Sequence, residues 1–194
     1  MNNRKDDQLR EKLIKVGIID GLIKIFSSWD INMITDSIVE SFFNFTYPCS
    51  FPKSQLLIEK KPFPSLFRLF NHKDKIVVSH AIFAIDNILY AGAIGTDSIS
   101  SHPYYDDLQQ SGGIEKIFQL FKRSQKEYTK DVSAICLGII FRAREMTVLE
   151  MKVKIISHLK SITNHSREEI RIEVELALNC LSQNSGLFLA IQQF

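Results

Sequence analysis

The side chains that metal, acid–base or nucleophilic chemistry would recruit are few in this 194-residue chain: five histidines, three cysteines and scattered acids. His72, His80, His102, His158 and His165 fall in different predicted elements. No H-x-x-x-H pair puts two imidazoles on one helix face as a metal would need. His158 and His165 are separated by a predicted helix break. His80 stands apart because it lies two turns before Asn87, on the same helix face; the plain reading of it is a polar residue at a partly exposed position. Cys49, Cys136 and Cys180 form neither a C-x-x-C pair nor a disulfide framework, which suits a reducing compartment. A catalytic thiol needs a histidine partner and an electropositive site; Cys136 and Cys180 read instead as core residues. The run Gly92 to Thr96 hints at a phosphate loop, but it follows a helix and lacks the lysine of that motif. Asp106 and Asp107 suit a helix start, where acids favour the dipole. These residues predict no catalytic group, no metal site and no cofactor.

The best basic cluster is Lys122, Arg123, Lys126 and Lys130, followed by Arg142 and Arg144. Glu127, Asp131 and Glu145 dilute it, and stacking aromatics are missing, so an acidic peptide segment fits it better than nucleic acid. The formal charge of +2 imposes no wider electrostatic footprint. Hydrophobic residues at 45% and charged residues at 24% match an ordinary globular chain able to bury a continuous core. The N-terminal segment is polar, without the apolar stretch of a signal peptide. No apolar run comes near the ~18 residues that span a bilayer. A cytoplasmic or nuclear protein is the expectation.

The elements that position these side chains repeat along the chain. Segments starting at Gly17, Lys61 and Gly112 superpose column by column, with starts 44 and then 51 positions apart. Each carries apolar residues at i, i+3, i+4 and i+7: Ile19, Leu22, Ile23 and Phe26; Phe63, Leu66, Phe67 and Phe70; Ile114, Ile117, Phe118 and Phe121. That spacing makes one stripe on an α-helix. Leu13, Leu57 and Leu108 precede the segments by four positions and belong to shorter leading helices. Gly17 and the Gly112-Gly113 pair suit the sharp turn between the two. A further helix follows each, marked by a small residue before an apolar one: Ser41-Phe42, Ala84-Ile85, Cys136-Leu137 and Ala177-Leu178. Small residues in one column allow close helix approach. Asp30, Ser27 or Ser28 is expected to cap the helix around Met33 to Phe45. No segment alternates as a strand.

A short helix, a glycine turn, a second helix and a third carrying small-apolar-x-Asn-apolar resembles the armadillo repeat, with HEAT repeats sharing the two-layer logic. Ala84-Ile85-Asp86-Asn87-Ile88 and Gly112-Gly113-Ile114 with Ile117 to Phe121 carry the likeness, which spans about residues 6 to 183. The resemblance implies an all-α, right-handed α-solenoid of about four armadillo-like repeats without a sheet. The whole chain, 1–194, is expected to be one domain, with repeats near 6–47, 51–92, 103–144 and 147–183 and a loop insertion at 92–102. In that family third helices line a concave groove for extended peptides, and an asparagine column there bonds the peptide backbone. Here the column reads Asn44, Asn87, Ile139 and Cys180. The tryptophan that nuclear-import members place one turn earlier is replaced by Glu40, Phe83, Ile135 and Leu176, which disfavours a nuclear-localisation-signal receptor.

The expected function is therefore a non-enzymatic protein-interaction scaffold that holds a protein or peptide segment, with no membrane among its partners and nucleic-acid binding the least favoured alternative. Candidate groove residues are Ser37, Glu40, Asn44, His80, Phe83, Asn87, Ile135 and Ile139. An assembly module, acting through self-association or within a longer solenoid, is the alternative. It would use the apolar tail at 186–194, where Leu187, Phe188 and Ile191 are candidates for a homodimer contact. Folding of that tail back onto the fourth repeat remains the third reading.

Overall fold

A computed structural model describes residues 3–183, with side chains from Asp7 onward. These form helices α1 (Asn3–Lys15), α2 (Ile18–Ser28), α3 (Asp36–Thr46), α4 (Phe51–Glu59), α5 (Phe63–Leu69), α6 (Lys75–Ile94), α7 (Tyr105–Gln110), α8 (Gly113–Arg123), α9 (Glu127–Ile140), α10 (Leu149–Ser161) and α11 (Glu168–Ser182). A 3-10 turn occupies Ile31–Met33, and there is no strand among the described residues. Helices α1–α3, α4–α6 and α7–α9 reproduce the threefold repeat unit, and α10 and α11 supply the last two members of a fourth. The contacts divide the chain into two compact units, residues 1–91 and 92–194, with the division inside α6. Leu187, Phe188 and Ile191 lie outside the described residues.

In the first unit α2 packs against α1, α3 and α5, and α1 against α4. Of the two helical stripes, Phe63, Leu66, Phe67 and Phe70 are all buried, whereas Ile19 and Phe26 are buried and Leu22 and Ile23 only half-buried. Each fully buried side chain of this size contributes about 1.5–3 kcal/mol. Phe26 meets Phe42 of α3 edge-on at 5.8 Å. The turn column is left-handed throughout: Gly17 has φ 97°, Lys61 φ 52° and Gly112 φ 67°. Two repeats meet this with glycine, which has no Cβ to clash, and one tolerates a lysine there.

Side chains complete what the backbone leaves open. Arg68 of α5 donates to the carbonyls of Phe26 and Trp29 at 2.6 Å each, satisfying the C-terminal end of α2. Lys53 is buried at 0% exposure, where it pairs with Asp7 at 2.7 Å and donates to the Pro48 carbonyl. Two expectations fail here. Asp30 does not cap the helix ahead of Phe42; its carboxylate accepts from the Asn32 N–H at 2.9 Å and caps the 3-10 turn, while α3 begins later, behind Thr35. That bond from Asn32 holds the Asp30 carboxyl below its usual range. The expected absence of a membrane-length helix fails as well, because the 20 residues of α6 are long and apolar enough to cross one. Since 67% of its most apolar window is buried inside the fold, α6 is a core helix.

In the second unit α9 is the central element, with α8, α10 and α11 all packed on it. Every residue from Asp131 to Ile140 is buried. Gly138 marks the close approach, since a Cβ added there would lie 2.7 Å from the Ala177 Cβ and 3.1 Å from Leu159. The small residue that α11 requires is thus Gly138, two positions after Cys136, and Ser41 in the same column as Cys136 is exposed. Just beyond α9, Arg142 is 1% exposed and holds the segment 92–102. It donates to the carbonyls of Ala93 and Ser100 at 2.8 Å and to the Thr96 hydroxyl at 2.6 Å. Burial pulls its guanidinium below the usual range. Arg142 accordingly leaves the surface basic cluster to which the sequence assigned it.

Candidate functional site

The five histidines sort into two structural jobs. His72, His102 and His165 each accept the backbone N–H two residues on, from Asp74 at 2.9 Å, Tyr104 at 3.1 Å and Arg167 at 3.1 Å. In that arrangement Nδ1 is the acceptor and the three rings serve as loop caps. The other two face carboxylates: His80 Nδ1 lies 2.8 Å from Asp36 Oδ1 and His158 Nε2 lies 2.7 Å from Asp131 Oδ1.

Asp131 is fully buried, and its second oxygen has no hydrogen-bond partner, with His165 Nε2 3.8 Å away. A buried carboxylate behind a histidine, with Ser157 and Ser161 nearby, has the composition of a hydrolytic triad. The geometry does not complete one. The Ser161 hydroxyl donates to the His158 carbonyl at 2.7 Å, and Ser157 makes no side-chain hydrogen bond among the described residues. Among the described residues no group of three or more His, Cys, Asp or Glu is arranged to hold a metal. The thiols are also poor nucleophiles, since burial pushes Cys49 up to about 12 and Cys180 up to about 11. The Gly92 to Thr96 run is no phosphate loop: Gly92 and Ile94 are still in α6, and a Cβ on Gly92 would meet the Tyr104 ring at 2.8 Å.

The third helices of the first unit carry the open face. Along α6 the residues that are not buried after the first turn are His80, Phe83, Asn87, Tyr90 and Ile94. Spacings of three and four keep them on one line. Beside them α3 exposes Ser37, Glu40, Ser41 and Asn44. Phe43 links the two helices: it stacks on His80 at 5.4 Å, meets Phe83 edge-on at 6.4 Å and stacks on the exposed Tyr47 at 6.2 Å. The Asp36–His80 contact fixes the imidazole in that row. The two asparagines differ. Asn87 is half-buried and donates to the Thr46 hydroxyl at 3.0 Å, so it ties α6 to α3. Asn44 is exposed and its amide makes no hydrogen bond among the described residues.

Of the eight residues that sequence placed on a groove, Ser37, Glu40, Asn44, His80, Phe83 and Asn87 share this face. Ile135 and Ile139 do not lie on an open face at all; both are 0% exposed. The reason is visible in α9 itself, whose stretch from Val132 to Ile140 is apolar or small on every side and is enclosed all round. Phe43 and Tyr47 were missed, although Phe43 sits seven positions after Asp36, on its side of α3. The row they form depends on a partner ring 37 positions away at His80, which local spacing does not announce.

No family model matches the chain, and no curated protein matches its sequence. Solved structures do. Across 96% of this chain and 74% of its own length, a designed armadillo repeat protein in complex with the peptide (KR)4 superposes with a TM-score of 0.68 at 17% identity. A second designed armadillo repeat protein matches at 0.69 and 16% over the same shares. A third, computationally designed for modular peptide recognition, matches at 0.68 and 18%, over 98% of this chain and 79% of that one. The fold is an all-α solenoid. More narrowly, it is an armadillo-like repeat fold.

Proposed function

We propose that the protein is a non-enzymatic interaction scaffold that holds an extended polypeptide segment on the α3–α6 face of its first unit. The observation that carries this is the open line His80, Phe83, Asn87, Tyr90 beside the uncommitted Asn44 amide. A side-chain amide offers both donor and acceptor, which is what a peptide backbone needs. The aromatic row of Phe43, Tyr47 and Phe83 gives flat apolar surface at low entropic cost, and Glu40 adds a negative charge at its edge. One similar designed armadillo repeat protein is in complex with the peptide (KR)4 and another was designed for modular peptide recognition, which supports the same reading.

Photo-crosslinking tests it. A photoreactive amino acid placed at Glu40, Asn44 or Phe83 is expected to give protein adducts in native lysate, and one at Lys24 on α2 is not. Adducts at Lys24 with none at the other three would place the binding surface elsewhere.

A further inference from the structure

A second surface, wholly within the other unit, is cationic. The end of α8, the start of α9 and one side of α10 enclose a surface pocket of about 500 Å³. Lys122, Lys130, Lys154 and His158 line it together with Phe121 and Val153, and no carboxylate is among its lining residues. Lysines from three helices thus line one pocket. Lys130 lies 5.3 Å from the centre of the Phe121 ring and makes no ion pair among the described residues. His158 closes the floor, with the buried Asp131 carboxylate 2.7 Å behind it and the edge of Phe121 beside it. Ser157 and Ser161 add hydroxyls along α10.

The chain itself shows what this arrangement attracts. Glu150, one turn before Lys154, sits at the rim with its carboxylate 2.9 Å from Lys154 and 3.7 Å from Lys122. Those two cations hold the Glu150 carboxyl below its usual range. Glu150 therefore acts as an internal occupant of part of the cationic site, exposed and exchangeable with a stronger anion.

We propose that this pocket is a docking site for an anionic peptide segment, one carrying clustered acidic side chains or a phosphorylated residue, which displaces Glu150 and lays an apolar side chain against the exposed Val153. A peptide is favoured over nucleic acid by the size and surface of the pocket. Its volume suits a few side chains. The basic surface does not continue as a stripe, because Glu127 opens α9 one turn before Lys130 and Glu150 opens α10 one turn before Lys154. Phe121 is 4% exposed and covered by Lys130 and His158, so it offers no platform on which a base could stack.

The test uses the full chain labelled with 15N and titrated with three pools of short degenerate peptides, whose fixed centres are Glu-Glu, phosphoserine or Gln-Gln. Short oligothymidylate is the fourth titrant. The acidic pool, the phosphorylated pool or both are expected to shift amides at 121–122, 130 and 153–161, and the Gln-Gln pool is not. Which of the two anionic pools acts identifies the source of the charge. The double variant Lys130→Glu, Lys154→Glu is expected to weaken binding by about tenfold or more at an unchanged melting temperature. Glu150→Gln is expected to strengthen it by about threefold, because an internal competitor is removed. A merely structural carboxylate would not produce that gain. Variants at Glu40 and Asn44 leave these shifts unchanged, so failure here and failure of the first-unit reading are separate results. The proposal is overturned if neither anionic pool shifts these amides, if the neutral pool shifts them equally, if Glu150→Gln leaves binding the same or weaker, or if oligothymidylate binds there more tightly than either peptide pool.

Discussion

Helices α6 and α9 occupy the same place in consecutive repeats and meet opposite fates. In α6 a line of half-buried residues, His80 to Tyr90, remains open beside α3. In α9 the matching line is Val132, Ile135 and Ile139, and all three are buried. The difference lies in side-chain chemistry at equivalent columns. Where α6 presents imidazole, phenyl and amide groups that tolerate water, α9 presents aliphatic chains and the glycine that brings α11 within contact. A shared repeat therefore sets where a helix runs without setting what its face does. One third helix offers a surface and another forms the centre of a core.

The largest effect should come from Arg142, which anchors the segment 92–102 at the end of α9. Arg142→Leu leaves the Ala93 and Ser100 carbonyls and the Thr96 hydroxyl without their partner, and is expected to cost about 3–5 kcal/mol in denaturant unfolding. Arg144→Ala, at an exposed position, should cost less than about 0.5 kcal/mol. Equal losses at the two would mean that Arg142 is not a structural anchor. Next, Gly138→Ala pushes a methyl onto Ala177 and should cost about 1–3 kcal/mol. If stability is unchanged, α11 does not approach α9 as closely as described, and the enclosure of α9 weakens as an explanation.

Helix α11 supplies a pH-dependent check. Burial first, and the Glu169 charge second, push the Glu173 carboxyl up to about 7. An acid whose folded pKa exceeds its unfolded value lowers stability as pH rises from the unfolded value towards the folded one. The folded state should thus lose stability between about pH 4.5 and 7 on account of this residue. Glu173→Gln should recover about 1–2 kcal/mol at pH 8 and nothing at pH 4, after allowance for screening at a half-buried site. A gain of the same size at both pH values would point to packing rather than ionisation. The smallest effect belongs to the turn column. Lys61→Gly relieves a left-handed residue and should stabilise by at most about 1 kcal/mol, whereas Gly112→Ala should destabilise by a similar amount. Matching losses in both variants would show that the column does not behave alike in the two units.

Much of this architecture was legible because it is periodic. The stripes from Phe63 to Phe70 and from Ile117 to Phe121, the left-handed glycines and the third-helix positions all follow from spacing within one element. What spacing cannot show is which side chains reach across elements. The lysine at 53 and the arginine at 142 look like surface cations until their carbonyl partners are in place. His158 and His165 share Asp131 only because α10 ends between them and the chain turns back. The face at Ser37, Glu40, Asn44, His80, Phe83 and Asn87 was readable as a column. Its extension to Ile135 and Ile139 was not, because a column alone does not reveal that α9 is apolar on its remaining sides too.

The central claim is that one repeat column is surface at Phe83 and core at Ile135, and paired truncations measure it. The measurement is denaturant unfolding of Phe83→Ala and Ile135→Ala, together with recovery of the proteins crosslinked at Glu40. Ile135→Ala should cost about 2–5 kcal/mol, as large-to-small changes in a core do. Phe83→Ala should cost less than about 2 kcal/mol, since its ring is only partly enclosed, and should lower the crosslinking yield severalfold while the fold persists. Equal destabilisation by both, with crosslinking unchanged in Phe83→Ala, would contradict the account.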